Sequence, residues 1–186
     1  GNSRDWSDDK ERAEKGLQEQ IQTLNSFGFF AEKLDLKKYF GKSEALKKYL
    51  SQFGLVWVLG GNTFVLKRAY EQSGFDLIIK EMLAKDQIVY GGYSAGVVIL
   101  SPSMKGLEIV DDPIIVPEGY APKFNWDGLG LVDYSIAVHF RSDHPESALV
   151  EKEVEYLEKN KIPYKTLRDG EVIVVDGEKE NLLKLS

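Results

Sequence analysis

The chain has 186 residues, 42% hydrophobic and 29% charged, which is enough for one domain over residues 1–186 with a sizeable core. With 30 acidic against 24 basic residues its net charge is −6, so it lacks the basic footprint of a broad nucleic-acid binder. It has no cysteine, which excludes disulfides, thiolate metal sites and a cysteine nucleophile, and its two histidines, His139 and His144, leave little for a multi-histidine metal centre.

No apolar run is long enough to span a membrane and no signal peptide opens the chain, so the expected setting is the cytoplasm, without a membrane partner. In chain order, Asp8 with Glu11 reads as a capping box that opens a helix through about Phe27. The alternation in "FFAEKLDL" (29–36) predicts a strand. "SEALKKYLSQF" (43–53) has helical spacing with Ser43 as its cap, and "GLVWVLGG" (54–61) is a short apolar strand ending in glycines. One or two helices follow over 63–84, broken near Gly74, and "QIVYGG" (87–92) is a second buried strand. A helix from Ser94 to about Leu100 stops before Pro102.

Residues 102–130 hold most of the proline and form a long irregular excursion, a kind of segment that in compact domains is functional or mobile. "YSIAVHF" (134–140) reads as a strand and 145–161 as an amphipathic helix. The tail reads as short antiparallel strands turning at Asp169-Gly170 and Asp176-Gly177. Buried strands separated by helices imply an α/β fold, a doubly wound, mostly parallel sheet. Such sheets bind ligands beyond the carboxyl ends of their strands, where both glycine-rich junctions fall.

Gly92-Tyr93-Ser94-Ala95-Gly96 fits the G-x-S-x-G nucleophile elbow. A tight strand-to-helix turn strains the central residue and exposes its hydroxyl, and small neighbours let strand and helix pass closely. The helix start then offers backbone N–H groups, notably that of Ala95, to a developing oxyanion. A serine nucleophile needs a base, and His139 ends a strand on the same sheet edge, whereas His144 in "RSDHPES" reads as a solvated turn residue. For the carboxylate behind the base, Glu108, Asp111, Asp112, Glu118, Asp127 and Asp133 are all open on sequence grounds. Gly61 is a second candidate oxyanion donor and Asn62 a polar handle for substrate, while capping of the next helix by Asn62 or Thr63 is compatible with both. No phosphate-binding loop pattern is present.

Together "LGGNTFVLKR", "GGYSAGVVIL", "VDDPIIV" and "AVHF" resemble the peptidase S51 family of aspartyl dipeptidases over most of the chain, from about Trp6 onward. The resemblance implies a class I glutamine amidotransferase-like (flavodoxin-like) fold with serine in place of that class's cysteine. It implies a Ser-His-Asp peptidase that cleaves small peptides through an acyl-enzyme, with no cofactor and no metal. By position, Ser94 is then the nucleophile, His139 the base and Asp111 the acid, with Asp112 next to it as the alternative. Gly61 and Ala95 form the oxyanion hole, and Asn62, Thr63, Tyr93 and Arg141 line the substrate site. The stretch after His139 carries one arginine, Arg141, where aspartyl dipeptidases carry arginines for an acidic side chain. The chain also starts at the helix near Trp6, without the family's first strand-helix-strand, so a shortened sequence or completion by another chain is expected, and a homo-oligomer is compatible with either. The other functions left open are an esterase or amidase with the same triad and a non-catalytic binding module.

Overall fold

Helix α1 (Lys10–Ser26) begins where the Asp9 carboxylate accepts the Arg12 N–H at 2.8 Å, one residue later than the predicted Asp8 cap. The computed structural model to which it belongs describes residues 2–184. After α1, residues 29–35 form no strand, contrary to the alternation in the sequence. Alternation specifies two faces and not a partner. Here the Ala31 N–H goes to the Asn25 side chain, and the segment runs into a 3-10 turn at Leu36–Tyr39.

Helix α2 (Ser43–Leu50) takes Lys42 as its cap, leaving Ser43 as its first residue, and buries Leu46 and Leu50. Strand β1 (Leu55–Val58) pairs in parallel with β2 (Val89–Gly92), Val58 opposite Gly92. The crossover between them is α3 (Thr63–Ser73) and α4 (Phe75–Ala84). Gly74 at φ 74° ends one helix and begins the other, as the predicted break requires. Leu46, Val65, Ala69, Tyr70, Phe75 and Ile79 are essentially inaccessible to solvent and join these elements into the main core. Each large side chain buried there contributes about 1.5–3 kcal/mol.

Helix α5 (Ala95–Val98) is a single turn closed at Ile99, shorter than its predicted run to Leu100. Residues 102–130 are irregular, as expected, with one 3-10 turn at Leu107–Ile109. Strand β3 (Ser135–Ala137) and helix α6 (Ser147–Lys159) follow. Strand β4 (Tyr164–Thr166) then pairs in parallel with β3, and β5 (Glu171–Asp176) and β6 (Lys179–Lys184) form an antiparallel hairpin.

This differs from the predicted all-antiparallel tail. A strand that follows a helix closes a right-handed crossover, so β4 belongs with β3 and only the last two strands form a hairpin. The class is α/β with parallel strands. Among the described residues, though, the ladders are three separate two-stranded sheets and not one doubly wound sheet. One reason is visible at β3: the Ile136 N–H donates to the Ser101 hydroxyl instead of a neighbouring strand.

The β1–β2–α5 junction is tight. A Cβ at Gly96 would lie 2.5 Å from the Val58 carbonyl oxygen, and one at Gly92 2.6 Å from the same atom. Gly96→Ala is therefore expected to lower the unfolding free energy by about 1–3 kcal/mol, read from the urea midpoint, because α5 must move off β1.

Candidate active site

Ser94 joins β2 to α5 with φ 50° and ψ −123°, a positive-φ conformation that is costly for a residue with a side chain. Its side chain lies on the Gly60 backbone: a Cβ at Gly60 would meet Ser94 Cβ at 2.8 Å and Oγ at 3.2 Å. The helix it starts leaves the Ala95 N–H without an acceptor, and the Gly61 N–H donates to none either, among the described residues. Gly61 sits at φ 145°, with Ser3 where a side chain would project. The Ser3 carbonyl accepts the Asn62 N–H at 2.9 Å, and the Gly60 carbonyl accepts from Ser3 Oγ and Arg4 Nε. These tethers fix the Gly60-Gly61 loop beside Ser94. Sequence reading missed Ser3 and Arg4, which carry no motif.

The expected substrate residues are placed variously. The Asn62 amide is spent on structure: Oδ1 accepts the Val65 N–H and caps α3, while Nδ2 donates to the Asp112 carbonyl. Thr63 is buried. Tyr93 is part-buried, its hydroxyl accepting from Arg4 at 3.3 Å. Arg141 is exposed, with its guanidinium over the Phe140 ring and 3.7 Å from Glu151.

His139 follows β3 at φ 59°. Its Nδ1 lies 2.6 Å from Asp169 Oδ1. Facing a carboxylate, Nδ1 carries the proton, which leaves the Nε2 lone pair available. The Phe140 N–H donates to the Leu167 carbonyl and the Asp169 N–H to the Ser142 hydroxyl, so the loops after β3 and β4 are held edge to edge. Ser94 and His139 form no hydrogen bond among the described residues. Nucleophile–base contacts commonly tighten only when substrate is bound.

Asp111, the expected acid, makes no hydrogen bond to His139 among the described residues. The Asp111 carboxylate instead accepts the Thr63 N–H at 2.7 Å, at the first turn of α3, where the helix dipole favours a negative group. Asp112 uses its side chain on the Ile114 N–H. Both acids brace the Gly61 loop. The signal for Asp169 was available: a strand parallel to the histidine strand ends at the same edge of the fold, and Asp169 follows such a strand. Reading the tail as antiparallel concealed it. His144, read as solvated, stacks on His139 with ring centroids 3.7 Å apart and planes at 8°.

Behind Asp111 lies Glu153 of α6, 5% exposed. Burial, with Asp111 and Glu108 nearby, pushes its carboxyl up to about 8, and burial also raises Asp111. The folded protein thus holds a proton on Glu153 that the unfolded chain releases above about pH 4.5. Stability is unpenalised below that pH, falls as pH rises, and levels off above about 8. Glu153→Gln is expected to stabilise the fold by a few kcal/mol at pH 9 and by little at pH 4.5, read from urea midpoints at the two pH values.

A cavity of about 630 Å³ lies away from these groups. It runs between α1, residues 29–34 and β1, and its lining includes Leu17, Ile21, Leu24, Phe29, Leu34 and Val56 but none of Ser94, His139 or Asp169. No helix among the described residues is long and apolar enough to cross a membrane.

Comparison with known proteins gives a consistent result. The model of peptidase family S51 matches residues 10–183. An uncharacterized peptidase of Listeria monocytogenes is 30% identical over 88% of this chain and 75% of its own length. A Drosophila melanogaster protein named as an alpha-aspartyl dipeptidase is 31% identical over 86% of this chain and 63% of its own. A solved structure from Listeria monocytogenes EGD-e, named for peptidase E, superposes with a TM-score of 0.74 at 27% identity, covering 89% of this chain and 75% of that one.

Proposed function

The chain belongs to peptidase family S51, and from that premise we propose that it is a serine peptidase that hydrolyses small peptides through an acyl-enzyme. The observation that carries the reading is Ser94 itself. It is a serine held at positive φ between two close-packed glycines, next to two backbone N–H groups that bond to nothing else described. Turn strain of this kind persists only where the surroundings over-determine it, and it concentrates at reactive sites.

Ser94 Oγ attacks the scissile carbonyl as His139 Nε2 takes its proton. Asp169 holds the imidazole through Nδ1 and stabilises the imidazolium that forms. The Ala95 and Gly61 N–H groups receive the tetrahedral oxyanion, each such donor being worth about 2.7–4 kcal/mol in comparable sites. His139 returns the proton to the leaving amine, and a water activated by the same imidazole releases the acyl group. Asp111 and Asp112 act at one remove, holding the loop that presents Gly61.

A panel of dipeptides and p-nitrophenyl acetate tests the reading. Free amino acids released from dipeptides are the expected result. Turnover of the ester with every dipeptide left intact would place the chain among esterases instead.

A further inference from the structure

His144 and Glu146 have no part in the mechanism above, yet they stand against its base. We propose that His139, His144 and Glu146 form a binding site for one divalent transition-metal ion, zinc foremost, and that an ion held there withdraws His139 from catalysis. One nitrogen from each imidazole and one Glu146 carboxylate oxygen lie within 4.8 Å of one another. Two imidazoles and a carboxylate are a donor set suited to a borderline-soft ion such as zinc, with a further coordination position left for water.

One observation beyond the cluster and one within it point the same way. The Asp169 carboxylate on His139 Nδ1 is the arrangement that orients a metal-binding imidazole and fixes its tautomer. The Glu146 N–H lies 3.3 Å from His144 Nδ1, so the turn entering α6 sets these two ligands relative to each other, while the third comes from the end of β3. Zinc bonds of about 2.0–2.1 Å place tetrahedral ligand atoms about 3.4 Å apart, so closure needs a contraction of roughly an ångström. Imidazole lone pairs lie in the ring plane, so the His144 ring must also tilt out of its parallel stack on His139; residues 141–146 are turns and bends outside any helix, and their rearrangement supplies both movements.

The Nε2 lone pair of His139 can bind a metal ion or accept the Ser94 proton, not both at once. This consequence, unlike the site itself, rests on the proposed peptidase reading. Zinc is then a reversible inhibitor that a chelator removes.

The test is a calorimetric zinc titration of the chelator-treated full chain, with cobalt(II) as a visible-absorption probe of the same site. One ion per chain is expected, with His144→Ala and Glu146→Gln each weakening zinc binding at least tenfold. Circular dichroism checks that both surface variants fold. Zinc is also expected to suppress dipeptide hydrolysis until EDTA is added. That suppression shrinks in both variants, each compared with its own zinc-free rate. Absence of saturable binding, or binding that both variants leave unchanged, overturns the site. If zinc binds as described but no dipeptide is cleaved with or without it, the site stands and the peptidase reading falls. Dipeptide cleavage by a chain that binds no zinc removes the site and leaves the peptidase reading standing.

Discussion

Ser94→Ala is expected to lower kcat for dipeptide hydrolysis by about 10³-fold or more while leaving KM and the thermal midpoint nearly unchanged. The size follows from the role: loss of a serine nucleophile leaves only the oxyanion donors and substrate binding, which together supply a small share of the acceleration. The unchanged stability follows from the local structure. The Ser94 hydroxyl makes no hydrogen bond among the described residues, and its backbone conformation is imposed by Gly92 and Gly96 packing on Val58. Parallel loss of activity and folding cooperativity would instead mark Ser94 as a structural residue. Steady-state kinetics and a thermal melt on the same preparation separate the two.

The second large effect is expected at Asp169. Asp169→Asn keeps the shape but removes the charge behind His139 Nδ1 and lets the imidazole adopt the other tautomer. A fall in kcat of about 10²–10⁴ with little change in KM is expected. The side chain is half exposed, so solvent screens part of its field and the lower end of that range applies. Asp111→Asn is the control. The amide oxygen can still accept the Thr63 N–H, so its effect on kcat stays within about tenfold. If Asp111→Asn proves the more damaging of the two, the histidine is oriented by Asp111 in the working enzyme and the Asp169 contact is incidental.

Where the sequence was legible, local chemistry was decisive. Gly74 had to break the 63–84 segment because a left-handed residue ends one helix there, and the Asp176-Gly177 turn had to join the last two strands. The close strand-to-helix passage was legible because three small residues in five have no better explanation, and Gly92 and Gly96 do pack on Val58. What was hidden depended on pairing at a distance. Residues 29–35 have a strand's alternation, but no ladder forms on them. Strand β4 has no local mark that distinguishes parallel from antiparallel pairing, so in the sequence Asp169 looks like a turn residue and only carboxylates upstream of His139 stand out as its partners. His144 was set aside because "RSDHPES" is polar throughout. A polar loop can still fold back onto a strand end, and its ring stacks on His139. At Asn62 the capping role was legible, since a polar side chain after a glycine turn and before a helix caps it, while its contact with the Asp112 carbonyl depends on the fold.

The most direct measurement is mass spectrometry of the full chain after reaction with a fluorophosphonate, with the adduct mapped by peptide sequencing. A serine activated by His139 and flanked by the Ala95 and Gly61 N–H groups is expected to take up one phosphonyl group per chain, on Ser94, and a cleavable dipeptide in excess is expected to slow the reaction. A folded chain that stays unlabelled, or that carries the group on another residue, would contradict the assignment of Ser94 as nucleophile.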